Sequence, residues 1–412
     1  MAIEKIQAIR GMSDMLPEDA PLWHFFEKEA SSLAKLYGYQ HIRTPIVEQT
    51  RLFKRGIGEV TDIVEKEMYS FVDSLNGDEL SLRPENTASV VRACIEHNLL
   101  YEGPKRLWYM GPMFRHERPQ RGRYRQFMQC DIDILGDPSN LAEIELILAT
   151  TTTLGKLGFK NFQIRINERR ILKAMAAYSG FPEESYDSVF ITLDKMDKIG
   201  LDGVKEELLE NGFAEEAVER YLSLFKNMEE AENGLQYLAD ALGDFLEEGV
   251  KQSLSEIIES VSVTKEAEFE MVFDPTLVRG MSYYTGTIFE IAMPEFGGSC
   301  GGGGRYDKMV GKFTGNDVPA CGFSIGFERI ILLLMESGFK VPGAPERTAY
   351  LLEKGLPSDR LCEVIAKAQE ERKNGKQILV VRMNKNKKFQ KEQLGKEGYT
   401  EFKEFYKEDL KH

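Results

Sequence analysis

Cysteine is scarce in this chain and never paired. Cys94, Cys130, Cys300, Cys321 and Cys362 are odd in number, widely spaced and nowhere arranged as C-x-x-C, which argues against a disulfide framework and against a thiolate zinc site. They read as small core residues. The five histidines are equally scattered, so metal-ligand spacing is missing and any metal is expected to arrive with a substrate. No window approaches the roughly 20 apolar residues that span a bilayer, and Met1-Ala2-Ile3-Glu4-Lys5 lacks the segments of a secretory signal. A cytoplasmic protein with no membrane partner is expected. Positive charge is short too: a net charge of −14 disfavours generic nucleic-acid binding, since phosphate contacts come from clustered Lys and Arg. The deficit is uneven, because Pro345–His412 holds 16 Lys and Arg against 12 Asp and Glu. A nucleic acid would meet local basic patches on an acidic body.

What is present is enough chain for several cores. At 412 residues with 42% apolar and 29% charged residues, two to four globular domains are expected. Leu22, Phe25, Phe26, Ala30, Leu33, Leu36 and Tyr37 recur at helical spacing before a capping Gly38. An extended piece, His41–Thr44, then stops at Pro45. Strand-like runs at Leu80–Leu82, Arg106–Met110 and Phe127–Leu135 predict a sheet with a long polar hairpin. From about Asn167 to Thr264, Lys, Glu and Leu dominate with helical spacing. Sheet patterns return at Phe269–Phe273 and Thr287–Ile291, followed by a glycine-rich stretch and an apolar helix Phe327–Met335. After Lys340–Pro345 a strand-helix-strand-helix unit is predicted over Ala349–Leu352, Leu361–Lys373, Gln377–Val381 and Lys387–Leu394. The expected boundaries are 1–166 and 265–340 for two halves of one core, 167–264 for a helical insertion, and 345–412 for a small α/β domain. The fold class is α/β (α+β).

The densest chemical signal is the hairpin from Arg115 to Arg125, with Arg115, Arg118, Arg121, Arg123 and Arg125 in eleven positions. Arginine presents planar, permanently charged donors that match phosphate and carboxylate oxygens, and a solvated loop has no need of it over lysine. Arg83-Pro84-Glu85-Asn86-Thr87 places a carboxylate and a hydroxyl at a helix start, suited to an ammonium group or to helix capping. Arg279 and the hydroxyls of Tyr283 and Tyr284 share a turn before a strand. Gly297–Gly304 lets backbone approach a ligand closely, yet it matches neither a P-loop nor a strand-initiated G-x-G-x-x-G. Arg329 stands in the first turn of the apolar helix, where the helix dipole favours acids. A nearby phosphate makes sense of it.

Together these segments resemble the class II aminoacyl-tRNA synthetases, and within them the histidyl-tRNA synthetase family. The first helix with Pro45, Phe114-Arg115-His116-Glu117, and Gly326-Phe327-Glu328-Arg329 resemble the three class motifs. Leu277–Gly286 and the Gly-Gly-Arg-Tyr-Asp ending at Asp307 resemble the family's own signatures. The resemblance covers Ile6 to about Glu336 closely and the tail in part.

The resemblance implies an antiparallel sheet flanked by helices and a homodimer built on the first motif. It implies activation of L-histidine by ATP, with Mg2+ accompanying the ATP, and transfer to histidine tRNA. Arg115, Arg279 and Arg329 would be catalytic, and Arg115, Glu117, Arg123 and Arg329 would bind ATP. Glu85, Thr87 and Gln129 would take the histidine ammonium; Asp133 and Tyr284 the imidazole nitrogens, with Arg279 and Tyr283 also at the amino acid. Arg118 and Gln120 would reach the tRNA acceptor end. No protein-held metal is implied. Three departures stand out: Ser282 where the family usually has Asp, Gln129-Cys130-Asp131-Ile132-Asp133 with a shortened carboxylate, and a tail about one strand and helix short, which would either expose a sheet edge or cover it with Phe402–Tyr406. Two alternatives share the fold: a non-catalytic regulatory subunit of an ATP phosphoribosyltransferase, and an enzyme that aminoacylates something other than tRNA. The first explains the short tail but not the presence of Arg115, Glu117, Arg123, Arg279 and Arg329 together; the second keeps the active site and discards the anticodon.

Overall fold

The computed structural model describes residues 6–58, 61, 63–280, 283–343 and 346–407. Fourteen strands are found among them: β1 Gln40–His41, β2 Val47–Gln49, β3 Ser70–Val72, β4 Glu79–Leu82, β5 Lys105–Phe114, β6 Gln126–Leu135, β7 Phe162–Glu168, β8 Phe269–Phe273, β9 Thr287–Met293, β10 Gly298–Arg305, β11 Ala320–Gly326, β12 Arg347–Leu352, β13 Gln377–Arg382 and β14 Glu401–Phe405. Two compact units share them, one of residues up to Asp14 with Trp23–Gly338, the other of Met15–Leu22 with residues from Phe339 onward. Each is described separately.

The first unit is organised by an eight-stranded sheet in the order β1-β5-β6-β11-β10-β9-β7-β8. All its pairs are antiparallel except β1 with β5 and β7 with β8. Helix Ala20–Leu36 forms where the periodicity predicts, and Gly38 adopts the left-handed φ of 78° that ends it. Its Phe26 stacks on Phe327 of the helix Phe327–Glu336, centroids 4.2 Å apart. The predicted extended piece after it is a strand only at Gln40–His41. A separate small sheet, β2-β4-β3, lies beside the helix Thr50–Ile57.

The glycine run behaves unexpectedly, because Gly298–Arg305 is an interior strand of the large sheet. Glycine is ordinarily depleted in strands. Here side chains are excluded by proximity: a Cβ on Gly303 would lie 1.9 Å from the Gly322 carbonyl oxygen, and one on Gly302 2.6 Å from the Arg279 guanidinium carbon. Arg305 closes the strand with a bidentate pair to buried Glu143, 2.6 Å at both contacts.

Between β7 and β8 the chain forms helices Arg169–Ser179, Tyr186–Leu193, Met196–Glu210 (broken at Gly200, φ 67° and ψ 177°), Glu215–Glu229, Gly234–Leu242 and Val250–Thr264. Several share an aromatic core in which Tyr221 meets Phe181 and Phe225 at 5.4 and 5.3 Å. β7, adjoining this region, is not anticipated from the sequence.

The second unit holds a three-stranded parallel sheet in the order β13-β12-β14, with helices Ser358–Lys373 and Lys387–Lys396. Of the two expectations for the tail, the second is met: Glu401–Phe405 covers the free edge of β12 by pairing with it in parallel, and so becomes the new edge strand. Glu401, Lys403 and Glu404 place charge along it, a common protection of an unpaired strand. Four of the cysteines are buried, as the sequence suggests, whereas Cys362 is exposed. Among the described residues no helix is long and apolar enough to cross a membrane.

Candidate active site

A single row of residues across the large sheet makes the floor of a cavity of about 790 Å³. Side chains alternate along β6, so Gln129 and Asp131 line the cavity and Cys130 does not. Asp131 stands opposite Tyr109 on β5 and Ser324 on β11; Ser324 stands opposite Gly302, and Gly302 opposite Glu290 on β9. All five partners face the same space. Because Gly302 has no side chain, Arg279 lies across β10 and donates from Nη1 to Glu290 Oε2 at 2.9 Å. Arg279 itself adopts a left-handed φ of 62°, rare for a residue with a side chain.

The hairpin supplies one wall. Arg115 donates to the Pro84 carbonyl at 2.9 Å and packs over Phe127. Glu117 stands between Arg115 and Arg123, at 3.9 and 3.1 Å. Two further arginines brace the loop: Arg125 donates to the Glu117 carbonyl at 3.0 Å, and Arg121 pairs with Glu336 at 2.6 Å. Arg329 reaches back from its helix to the Gly122 carbonyl at 3.0 Å and to the Ser299 carbonyl. Phe296 receives both Arg121 and Arg329 on its ring, at 5.1 and 5.5 Å. Burial, followed by the nearby charges of Arg123 and Arg279, works against the ionised form of Arg329. Such a concentration of cations calls for an anionic ligand.

A second part of the lining, adjoining the arginines, is rich in acceptors. Glu85 is buried and takes the backbone N–H groups of Thr87 and Ala88 at 2.7 and 3.0 Å, so it caps the helix Thr87–Glu96 while also lining the cavity. Buried Arg83 secures this segment by donating to the Pro112 carbonyl at 2.9 Å and to Asn86 at 3.1 Å. Tyr109 Oη, Gln129 Oε1, Asp131 Oδ1 and Asp133 Oδ2 are buried without hydrogen-bond partners. Buried polar atoms are costly when unpaired, and Gln129 Oε1 and Asp131 Oδ1, acceptors within the lining, point to a ligand that brings donors. Burial pushes Asp131 well above the carboxylate range. It pushes Asp133 up to about 7, opposed by hydrogen bonding from Tyr306. Glu328, which accepts from the Met128 N–H at 2.7 Å, is also raised by burial to about 7.

Ten sequence-predicted residues line this cavity together: Glu85, Thr87, Arg115, Glu117, Arg123, Gln129, Arg279, Tyr283, Tyr284 and Arg329. Asp133 lies two residues further along β6, outside the lining, where its Oδ1 accepts from the Tyr306 hydroxyl. Gly322 opposite it leaves room, since a Cβ there would lie 2.0 Å from that oxygen. Arg118 and Gln120 are exposed on the hairpin loop, also outside the lining. Ser282 lies outside the described residues. Sequence reasoning missed Tyr109, Asp131, Glu290 and Tyr306. Asp131 was within reach, because it shares the strand face of Gln129; Glu290 is revealed only by strand pairing, and Tyr306, part of the Gly-Gly-Arg-Tyr-Asp signature, only by its hydroxyl contact with Asp133.

Comparison with known proteins bears on the family and the fold. A family model described as histidyl-tRNA synthetase matches residues 11–330. The histidine–tRNA ligase of Burkholderia mallei (strain NCTC 10229) is 44% identical over 371 residues, covering 88% of this chain and 78% of that protein. The crystal structure of histidyl-tRNA synthetase from Nostoc sp. PCC 7120 is similar with a TM-score of 0.77 and 23% identity, over 96% of this chain and 90% of that one. A structure described as an ATP phosphoribosyltransferase regulatory subunit/histidyl-tRNA synthetase from Bacillus halodurans C has a TM-score of 0.79 at 21% identity, covering 98% and 99%. At these identities the two structures speak for the fold alone.

Proposed function

Because the chain belongs to the histidyl-tRNA synthetase family, we infer that it is a histidine–tRNA ligase, which activates L-histidine with ATP and transfers it to histidine tRNA. The observation that carries this reading is the meeting of Arg115, Arg123, Arg279 and Arg329 with an acceptor-rich wall in one cavity. The non-catalytic regulatory alternative is not better supported, since a binding-only protein has no use for convergent arginines.

The two walls suit the two substrates. The histidine carboxylate attacks the ATP α-phosphorus and pyrophosphate departs, so negative charge on the phosphoryl oxygens must be held in place. We assign Arg115 to the α-phosphate and carboxylate, Arg123 and Arg329 to the outer phosphates, Glu117 to the nucleotide, and Arg279 to the developing charge. Glu85, Thr87 and Gln129 take the ammonium group. Tyr284 takes an imidazole nitrogen, with Tyr283 beside it, and Asp133 acts through the Tyr306 hydroxyl. A wrong amino acid leaves these buried groups unpaired, which is how polar pockets reject apolar isosteres. We assign Arg118 and Gln120, exposed on the hairpin loop, to the tRNA acceptor end. Magnesium is proposed to travel on the ATP phosphates, because Glu117 is already paired with arginine and Glu328 with a backbone N–H.

We further propose a cytoplasmic homodimer in which 167–264 acts as a helical insertion in the core and 345–412 as an anticodon-binding-like module. Exposed Phe71, Val72 and Leu75, at 47, 65 and 93%, leave apolar side chains uncovered around edge strand β3 and the turn after it, which supports a partner there. Light scattering in solution checks the dimer. For the activity, purified protein is given ATP, labelled pyrophosphate and each amino acid in turn: histidine-dependent exchange is expected, and its absence would sink the reading. Charging of histidine tRNA against an anticodon-mutated copy then tests the small module.

A further inference from the structure

Arg165, on β7, has its guanidinium shared among three carboxylates that belong to three different parts of the first unit. It pairs with Asp274 at the end of β8, with Asp197 Oδ2 of the helix Met196–Glu210 at 2.9 Å, and with Glu290 Oε1 of β9 at 3.6 Å. Glu290 uses its other oxygen, Oε2, for Arg279 at 2.9 Å. A continuous chain of charge therefore runs from Asp197 through Arg165 and Glu290 to Arg279.

The same arginine also fixes the backbone that leads to Arg279. Asp274 takes the Thr276 N–H and hydroxyl at 2.9 and 2.6 Å, and Arg165 Nη2 adds a contact to that hydroxyl at 3.4 Å. Asn167, two residues beyond Arg165, donates to the Leu277 carbonyl at 2.9 Å. The segment 274–277 is thus fastened to β7 just before Arg279 takes its φ of 62°. A left-handed residue with a side chain persists only where its surroundings over-determine it.

We propose that Arg165 is a positioning residue for Arg279, and that the inserted helices share in this through Asp197. Arg165 never lines the main cavity; it acts on Arg279 by orienting Glu290 and by anchoring the strained segment. A helix of the insertion thereby bears on the geometry of the arginine assigned to the developing charge. This rests on the role given to Arg279 above.

Asp197→Asn decides the matter, because that side chain is 67% exposed and its loss does not threaten folding. The expected result is a kcat for histidine-dependent ATP–pyrophosphate exchange lowered about three- to tenfold, with KM for histidine and for ATP within about twofold. Thermal unfolding should be unchanged, and Asp197→Glu should retain wild-type kcat. Arg165→Met should lower kcat about thirtyfold or more, and adding Asp197→Asn to it should change nothing further, as expected of two residues acting through one contact. An Asp197→Asn enzyme with wild-type kcat overturns the proposal, as does an effect confined to KM or one that multiplies with Arg165→Met. Wild-type protein without exchange would overturn the functional reading and this proposal together, so the two failures are distinguishable.

Discussion

Arg329 donates its Nε to the carbonyl of Gly122, 3.0 Å away, tying the apolar helix to the turn of the arginine hairpin. Gly122 has a φ of 66°, and a Cβ there would lie 2.6 Å from the Phe296 ring on which Arg121 and Arg329 both rest. Gly122→Ala therefore combines left-handed strain of about 1–2 kcal/mol with a displaced ring. The expected outcome is a KM for ATP raised about tenfold, with that for histidine little changed, read by pyrophosphate exchange at varied substrate.

Arg279 and Gly302 form a second interdependent pair. Removing the guanidinium in Arg279→Gln should lower kcat for adenylate formation about 10²- to 10³-fold, the usual scale for one donor to developing charge. Gly302→Ala leaves the arginine in place but sets a methyl 2.6 Å from its guanidinium carbon and 2.7 Å from the Phe289 carbonyl oxygen. It should reproduce much of the kcat loss in single-turnover measurements, together with a lower unfolding temperature, because backbone as well as side chain must shift.

These pairs show what the sequence reveals and what it hides. The arginine hairpin, the amphipathic first helix and the helical stretch after Asn167 are legible because composition and periodicity act locally. β10 is hidden, because four consecutive glycines read as a loop until Arg279, Gly322 and Tyr284 are known to crowd them. Glu85 carries two roles at once, helix cap and cavity wall, which a linear reading treats as alternatives. The last strand is legible only as a segment that could cover an edge, because its partner β12 lies more than fifty residues earlier and its own charged sequence does not name it.

Asp131 is the residue for which pairing matters most to specificity. Its Oδ1 is buried and unpartnered, and it lines the cavity between Gln129 and the Asp133–Tyr306 pair. Filling a buried acceptor is worth about 1–3 kcal/mol. Asp131→Ala should raise KM for histidine roughly tenfold or more while KM for ATP holds, measured by exchange kinetics. Equal changes in both would show that Asp131 serves the strand rather than the amino acid.

Asp133 ties this pocket to pH. Its folded pKa is raised by burial to about 7, while an unfolded aspartate titrates near about 3.9. Between those values the folded chain holds a proton that the unfolded chain has lost, so the contribution to stability is full below about pH 4 and disappears as pH rises through about 7. One such proton gives a slope of at most about 1.4 kcal/mol per pH unit. Asp133→Asn cannot ionise, yet keeps an oxygen to accept from Tyr306. Urea unfolding from pH 5 to 8 should therefore show wild-type stability falling with pH more steeply than that of the variant. Parallel curves would mean that Asp133 is ionised throughout and that Tyr306 bonds a full carboxylate. In that case Asp133 would confront an incoming imidazole with a negative charge rather than a neutral acid, and Asp133→Asn should instead weaken histidine binding most strongly below about pH 6.5, where free imidazole is protonated.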